Sequence, residues 1–96
     1  LDVDRLPALD GSLDVALQGE RTGGDARNRE FAGERFTCDG LPDELVALAF
    51  DPQTAGGLLV SIPAARAAAL ESAFSSSDLF VRRIGAVEEG AGVVLG

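Results

Sequence analysis

Two glycine pairs stand beside polar side chains, and they are the parts of this sequence best suited to hold an anionic ligand. The first pair, Gly56-Gly57, follows Thr54 in the segment 51–57, between an apolar predicted helix and a predicted buried strand. Glycine has no Cβ and can adopt positive φ, so its backbone N–H can approach a phosphate closely. The Thr54 hydroxyl could add a further hydrogen bond. The alternative is a tight turn in which the two glycines only relieve steric crowding.

The second pair, Gly23-Gly24, precedes Arg27 and Asn28. A guanidinium at Arg27 could contact phosphate oxygens, and the Asn28 amide could fix the loop. The alternative is a solvated surface loop. Asp25 places a negative charge in the same segment, which does not favour binding of an anion.

The composition excludes several kinds of site. The 96 residues include eight Arg, no Lys and no His, and the formal net charge is −8. Without His, this chain alone cannot build a Ser-His or Cys-His nucleophile or a His-ligated zinc site. Cys38 has no base near it in sequence that would make it a nucleophile. The acidic residues show no metal-ligand spacing, so each acidic residue is interpreted as a solvated surface charge. We therefore predict no catalytic residue and no metal ligand.

The charge and hydropathy also limit the partners of this chain. The acidic balance leaves no basic surface for nucleic acid. The sequence has no apolar run near the ~20 residues that a membrane span needs. One cysteine in 96 residues suits a reducing compartment, so we predict a cytoplasmic protein with neither a nucleic-acid nor a membrane partner.

The apolar periodicity indicates the elements that must position the glycine pairs. In the first predicted helix, Asp10 is the expected cap and Gly19 the expected left-handed end. In the second, Leu45, Leu48 and Ala49 form the expected buried stripe. Residues 20–35 are too polar for a core and are predicted to be a long loop. The predicted strands are 1–8, 58–62, 79–87 and 91–95, and a hairpin or tight turn at 88–90 joins the last two. The predicted helices are 11–18, 41–50 and 63–74. The third helix has Ala67, Leu70 and Phe74 at core spacing and is predicted to break at 75–77.

This order of elements indicates an α+β domain, with helices packed on a sheet in two layers. At 96 residues the chain has the length of one domain, so 1–96 is predicted to be a single unit.

Four segments carry a resemblance to a known family. The segment 51–59, DPQTAGGLL, closely resembles the DPQTSGGLL signature in the C-terminal domain of selenide, water dikinase (selenophosphate synthetase). Three more segments match that family in the same order: 6–13, LPALDGSL, its LP-x-L-x-GA-L segment; 19–28, GERTGGDARN, its G-x-x-x-GG-T-x-x-N loop; and 84–87, IGAV, its IG-x-V strand. The departures are Ala55 for the usual Ser, Thr22 for a common Pro, and Asp25 for Thr or Ser.

The resemblance implies an ATP-dependent enzyme of the AIR synthase (PurM-like) superfamily that converts selenide to selenophosphate, releases AMP and phosphate, and requires Mg²⁺. It implies that 1–96 is part of the C-terminal domain of a homodimeric parent. A missing N-terminal domain would then carry the reactive Cys or selenocysteine, and the fragment alone would be inactive. The nucleotide-proximal residues would be Gly23, Gly24, Arg27, Asn28, Thr54, Gly56 and Gly57, forming one wall of the site.

Two alternatives remain open from the sequence. One is another PurM-like ATP-dependent enzyme, of the thiamine-phosphate kinase or hydrogenase-maturation kind. The other is a stand-alone binding module without catalysis.

Overall fold

The computed structural model describes residues 1–52 and 56–96. Within these ranges it has both helices and paired strands, which confirms the α+β class. The α-helices are α1 (Ser12–Leu17), α2 (Asp25–Ala32), α3 (Asp43–Phe50) and α4 (Ala67–Ser76); the strands are β1 (Phe36–Thr37) and β2 (Val93–Val94); short 3₁₀ turns cover Val3–Arg5, Gly33–Arg35 and Ala64–Arg66.

The two ends of the chain come together beside the strand pair. β1 and β2 run parallel, with Phe36 opposite Val93. The Leu95 N–H continues this pairing by donating to the Thr37 carbonyl at 2.8 Å. On the other side, the Val3 N–H donates to the Gly96 carbonyl at 2.8 Å. The first and last residues of the chain therefore lie side by side and are joined by backbone hydrogen bonds.

The core lies between this pairing and helix α3. Val3, Val46 and Leu95 are buried, and Leu95 is only 2% exposed. The Phe36 and Phe50 rings meet edge to face with their centroids 4.5 Å apart, a favourable arrangement for two aromatic rings. The half-buried residues packed around this core are Leu6, Phe36, Cys38, Leu41, Leu45 and Phe50.

The predicted helices are confirmed, with corrections at their ends and faces. Helix α1 begins after Gly11, whose φ is 82°, so Asp10 is not its cap. Gly19 does adopt the predicted left-handed conformation, with φ also 82°. Helix α3 begins at Asp43 and buries Val46 and Ala47. The prediction that Leu45, Leu48 and Ala49 form the buried face was therefore wrong, because the helix turns a different side toward the core. The reason is that α1 packs on one side of α3 and the core on another, which local periodicity does not specify.

Helix α4 extends beyond its predicted end. It continues through Ser76, whose hydroxyl donates to the Ser72 carbonyl at 2.8 Å. The predicted break at 75–77 is therefore wrong for Ser75 and Ser76, because the helix includes both and its C-cap is Ser77. Its predicted core residues, Ala67, Leu70 and Phe74, are only half-buried.

The predicted strands are mostly wrong. Residues 1–8 contain the 3₁₀ turn Val3–Arg5, in which the Leu6 N–H donates to the Val3 carbonyl at 3.2 Å. Segments 58–62 and 79–87 form no strand, and the predicted hairpin at 88–90 is absent from this described part of the chain. Val93–Val94 instead pairs with β1, which lay outside every predicted strand. A strand needs a neighbour to accept its backbone hydrogen bonds, and local pattern does not show which neighbour is available.

Candidate functional site

The segment predicted as a long loop contains helix α2. The Asp25 N–H donates to the Thr22 carbonyl at 3.1 Å, and the Asn28 N–H donates to the Gly24 carbonyl at 2.9 Å, which closes the first turn. Gly24 stands at the start of the helix with φ −85° and ψ −24°, a conformation open to any residue. Positive φ is therefore not the reason for glycine at position 24.

The first turn of α2 lies directly against the end of α3 and the start of the segment 51–57. The side-chain amide of Asn28 donates to the Phe50 carbonyl at 2.8 Å. A Cβ added to Gly24 would lie 2.6 Å from Cγ of Pro52, so the backbone of α2 approaches this proline as closely as only glycine allows. The structure thus brings together the two segments that the sequence singled out separately.

A third contact joins the same two segments. The Thr22 hydroxyl donates to Oδ1 of Asp51 at 3.3 Å. A proline at position 22 could not form this contact, because it has no hydroxyl.

Arg29 binds α2 to the N-terminal end of α3, and Arg21 binds the residues before α2 to the same place. Nε of Arg29 lies 2.9 Å from Oδ1 of Asp25, and its Nη2 lies 3.6 Å from Oδ1 of Asp43. Arg21 reaches the other oxygen of Asp43 at 2.6 Å. The Arg29 guanidinium also lies 4.9 Å from the centre of the Phe50 ring, within cation–π range. Sequence reasoning missed these residues, although the i,i+4 spacing of Asp25 and Arg29 was a usable signal.

Asp25 corrects the prediction that the acidic residues are solvated. It is 7% exposed, and Arg29 holds its Oδ1. Its Oδ2 is buried with no hydrogen-bond partner among the residues that the structure describes, as is the Ser12 hydroxyl oxygen. Because Arg29 is the cation beside this buried carboxylate, the start of α2 depends on that ion pair.

A groove of about 300 Å³ lies between α1, the start of α2 and α3. Its lining includes three carboxylates and one guanidinium, so its charge repels a phosphate rather than attracting one. The polar residues that line it are Ser12, Glu20, Arg21, Thr22, Asp25 and Asp51.

The predicted site residues fall into three groups. Gly24 and Asn28 contact the end of α3, as described above. Gly23, Arg27, Gly56 and Gly57 are at or near the surface, and nothing lies within 4 Å of a Cβ added to Gly23 or Gly57. Thr54 lies outside the described residues, as do Gln53 and Ala55.

Arg27 differs from the other two arginines of this region. It forms no ion pair or hydrogen bond with any residue that the structure describes, whereas Arg21 and Arg29 are each paired with a carboxylate. Its guanidinium is therefore the one in segment 19–29 that no described carboxylate neutralises.

Three further properties limit what this part of the chain can do. Residues 1–52 and 56–96 contain no group of three or more His, Cys, Asp or Glu side chains placed to hold a metal ion. Cys38 is a free thiol packed against the core. None of the helices described is both long and apolar enough to cross a membrane.

Curated relatives match this chain over most of its length. It is 32% identical to selenide, water dikinase 2 of Peptoclostridium acidaminophilum over 79 residues, which are 82% of this chain and 23% of the relative. It is 36% identical to selenide, water dikinase of Shewanella sp. (strain MR-4) over 88 residues, which are 92% of this chain and 24% of the relative. With the same enzyme of Clostridium botulinum (strain Eklund 17B / Type B) it shares 33% over 85 residues, 88% and 25% respectively.

Neither a family model nor a solved structure matches the chain. The fold and the site define a small α+β unit in which two glycine-bearing segments are held against each other. The relatives show that this chain matches part of selenide, water dikinase. The resemblance predicted from four segments of the sequence is therefore confirmed. The chain spans about a quarter of the length of these curated relatives.

Proposed function

We propose that residues 1–96 form the C-terminal part of a cytoplasmic enzyme that makes selenophosphate from selenide and ATP, with AMP and phosphate as the other products. The observation that carries this proposal is the contact of Thr22 with Asp51 and of Gly24 with Pro52, because these residues belong to two segments that resemble the family. The relatives are named selenide, water dikinase, which favours this enzyme over another PurM-like kinase and over a binding module without catalysis.

In this proposal the chain supplies one wall of the nucleotide site. Phosphoryl transfer depends mainly on positioning and on neutralising the charge of the phosphates. Arg27 is exposed and unpaired with any described carboxylate, so its charge is available to an anion. Gly56 and Gly57 are exposed as well and could add backbone N–H donors. Gly23, Gly24 and Asn28 support this wall from α2, and Thr54 would complete it.

The residues that the structure describes offer no cluster of three or more ligands of the His, Cys, Asp or Glu type. We therefore assign the metal to the remainder of the enzyme, together with the reacting groups. No catalytic residue is assigned within this chain.

The exposed run 58–62 supports the proposal of a missing partner domain. Leu58 is 93% exposed, Leu59 76% and Val60 61%, so both faces of the run are open. Within the described parts of the chain its backbone forms no hydrogen bond to other backbone. Consecutive apolar residues of this kind are typical of a strand covered on both faces. We propose that the rest of the enzyme, including an N-terminal domain that dimerises, provides this cover.

The test is selenide-dependent formation of AMP from ATP. The full-length enzyme should form AMP, and the 96-residue chain alone should not. Turnover by the isolated chain would contradict the proposed division of the site, and the absence of turnover by the full-length enzyme would contradict the proposed activity.

A pair of variants tests the covered face in the full-length enzyme. Leu58→Glu should reduce soluble, active enzyme strongly, because it would place a charge in a covered apolar layer. Val87→Glu is the matched control, since Val87 is also exposed, at 84%, but lies outside the run. Equal effects of the two substitutions would contradict the proposal that the rest of the enzyme covers the run 58–62 in particular.

A further inference from the structure

Two buried oxygen atoms of the groove between α1, α2 and α3 have no hydrogen-bond partner among the residues that the structure describes. They are Oδ2 of Asp25 and the hydroxyl oxygen of Ser12, and both side chains line this groove of about 300 Å³. Asp25 is only 7% exposed. A buried carboxylate oxygen without a donor is costly, because it has lost its hydrogen bonds to water and has gained none in their place. The groove is therefore suited to a ligand that donates hydrogen bonds.

The two arginines beside the groove donate elsewhere. Nε of Arg29 donates to Oδ1 of Asp25 at 2.9 Å, and Nη2 of Arg29 lies 3.6 Å from Oδ1 of Asp43. Arg21 donates from Nη1 to two backbone carbonyls and from Nη2 to the other oxygen of Asp43. Neither guanidinium donates to Oδ2 of Asp25. A donor for this oxygen therefore has to come from outside the residues that the structure describes.

The chemistry of the groove favours a lysine side chain as the donor. A lysine ammonium has three N–H donors and no acceptor, which suits two unpartnered acceptors in one groove, and Glu20 adds a negative charge to the lining. A guanidinium has five donors in a rigid plane and would leave more of them without a partner here. The methylene chain of a lysine packs well on apolar walls. The apolar residues that line the groove are Val15, Ala16, Ala47 and Leu48.

No lysine of this chain can supply the ammonium, because residues 1–96 contain none. The chain spans about a quarter of the length of its curated relatives, so most of the proposed enzyme lies outside it. We propose that the groove is a contact surface for the rest of the enzyme, where a lysine from outside 1–96 inserts and donates to Oδ2 of Asp25 and to the Ser12 hydroxyl. The inference rests on the function proposed above, in that it takes residues 1–96 as part of a larger enzyme.

The experiment measures how fast each lysine of the full-length enzyme undergoes reductive methylation, with mass spectrometry as the readout. Since residues 1–96 contain no lysine, every lysine that it reports lies outside this chain. Asp25→Asn keeps the shape of the side chain and an oxygen for Arg29, but it places an NH₂ group where Oδ2 was. Asp43→Asn is the matched control, because Asp43 pairs with the same Arg29 but is not part of the groove lining.

In the wild type we expect one lysine to react slowly, because its ammonium lies in the groove. In Asp25→Asn that lysine should react about tenfold faster, the effect of losing one hydrogen bond to a charged group, and the other lysines should be unchanged. Ser12→Ala removes only the neutral acceptor and should make the same lysine react about threefold faster. Asp43→Asn should match the wild type. If Asp25→Asn fails to fold, many lysines will react faster together, and Ser12→Ala, which keeps every ion pair, decides by itself.

The inference is overturned if no single lysine reacts faster in Asp25→Asn and Ser12→Ala, or if Asp43→Asn accelerates the same lysine equally. Methylation does not require activity, so this inference and the proposed function fail separately. If the full-length enzyme forms no AMP from selenide and ATP but the lysine responds, the contact is supported and the proposed activity is wrong. If the enzyme forms AMP and no lysine responds, the activity is supported and the contact is wrong.

Discussion

Replacing Gly24 by Ala distinguishes two possible reasons for glycine at this position, its backbone conformation and its close packing against Pro52. Its φ of −85° and ψ of −24° suit alanine, which would ordinarily stabilise the protein by about 0.4–1 kcal/mol through the unfolded state. The added Cβ, however, would lie 2.6 Å from Cγ and 3.1 Å from Cβ of Pro52. Non-bonded carbons prefer about 3.5–4.0 Å, so the overlap is about 1 Å. The proline ring cannot rotate out of the way, because it is closed on its own backbone.

Relief of this overlap requires α2 to move away from the end of α3. Overpacking of this kind costs about 1–3 kcal/mol, which exceeds the gain from the unfolded state. We expect Gly24→Ala to destabilise the protein by about 1–2 kcal/mol and to lower its thermal midpoint by several degrees. The same movement should lengthen the Asn28–Phe50 hydrogen bond, so amide hydrogen exchange over 45–51 should also become faster.

The matched control is Gly23→Ala, measured by thermal unfolding of the full-length enzyme beside Gly24→Ala. A Cβ at Gly23 meets no heavy atom within 4 Å, so this substitution should be neutral or slightly stabilising. Adding Pro52→Ala to Gly24→Ala removes Cγ and should recover part of the loss, which a double-mutant cycle measures. If Gly24→Ala is as stable as Gly23→Ala, the reasoning from close packing is refuted.

Two further predictions concern the core and the ion pair, both measured by denaturant unfolding. Leu95→Ala should cost about 2–5 kcal/mol because Leu95 is 2% exposed, whereas Val94→Ala, at 63% exposure, should cost much less; similar losses would place the core elsewhere. Arg29→Ala should cost about 2–3 kcal/mol because it leaves the buried Asp25 carboxylate without its cation. Arg5→Ala removes only an exposed pair at 3.9 Å and should cost under about 0.5 kcal/mol; equal effects would contradict the special role of Arg29.

Local sequence was sufficient where a helix depends on its own residues. The periodic apolar positions placed α1, α3 and α4 within two or three residues of their ends, apart from the 3₁₀ turn that opens the last. Gly19 marked the end of α1 because a left-handed residue is cheapest as glycine. The segment 51–59 and three further segments in the same order predicted the resemblance to selenide, water dikinase, which the relatives confirm.

Helix α2 shows where local pattern fails. Its residues are largely polar, so no apolar periodicity predicted it. The Asp25–Arg29 pair and the contact with α3 stabilise it, and the second of these exists only in the folded chain.

Contacts between distant residues were decided by the tertiary structure alone. Asn28 and Phe50 are 22 positions apart, and the partners Phe36 and Val93 are 57 positions apart. A residue's type states what it can donate or accept, but not which group folding brings within reach. The sequence by itself therefore determined three helices and a family resemblance, whereas the folded chain decided the strand pairing, the face of α3 that is buried, and the meeting of the two glycine-bearing segments. The physical reason is that hydrogen bonds and packing between distant segments depend on spatial neighbours, which no local pattern encodes.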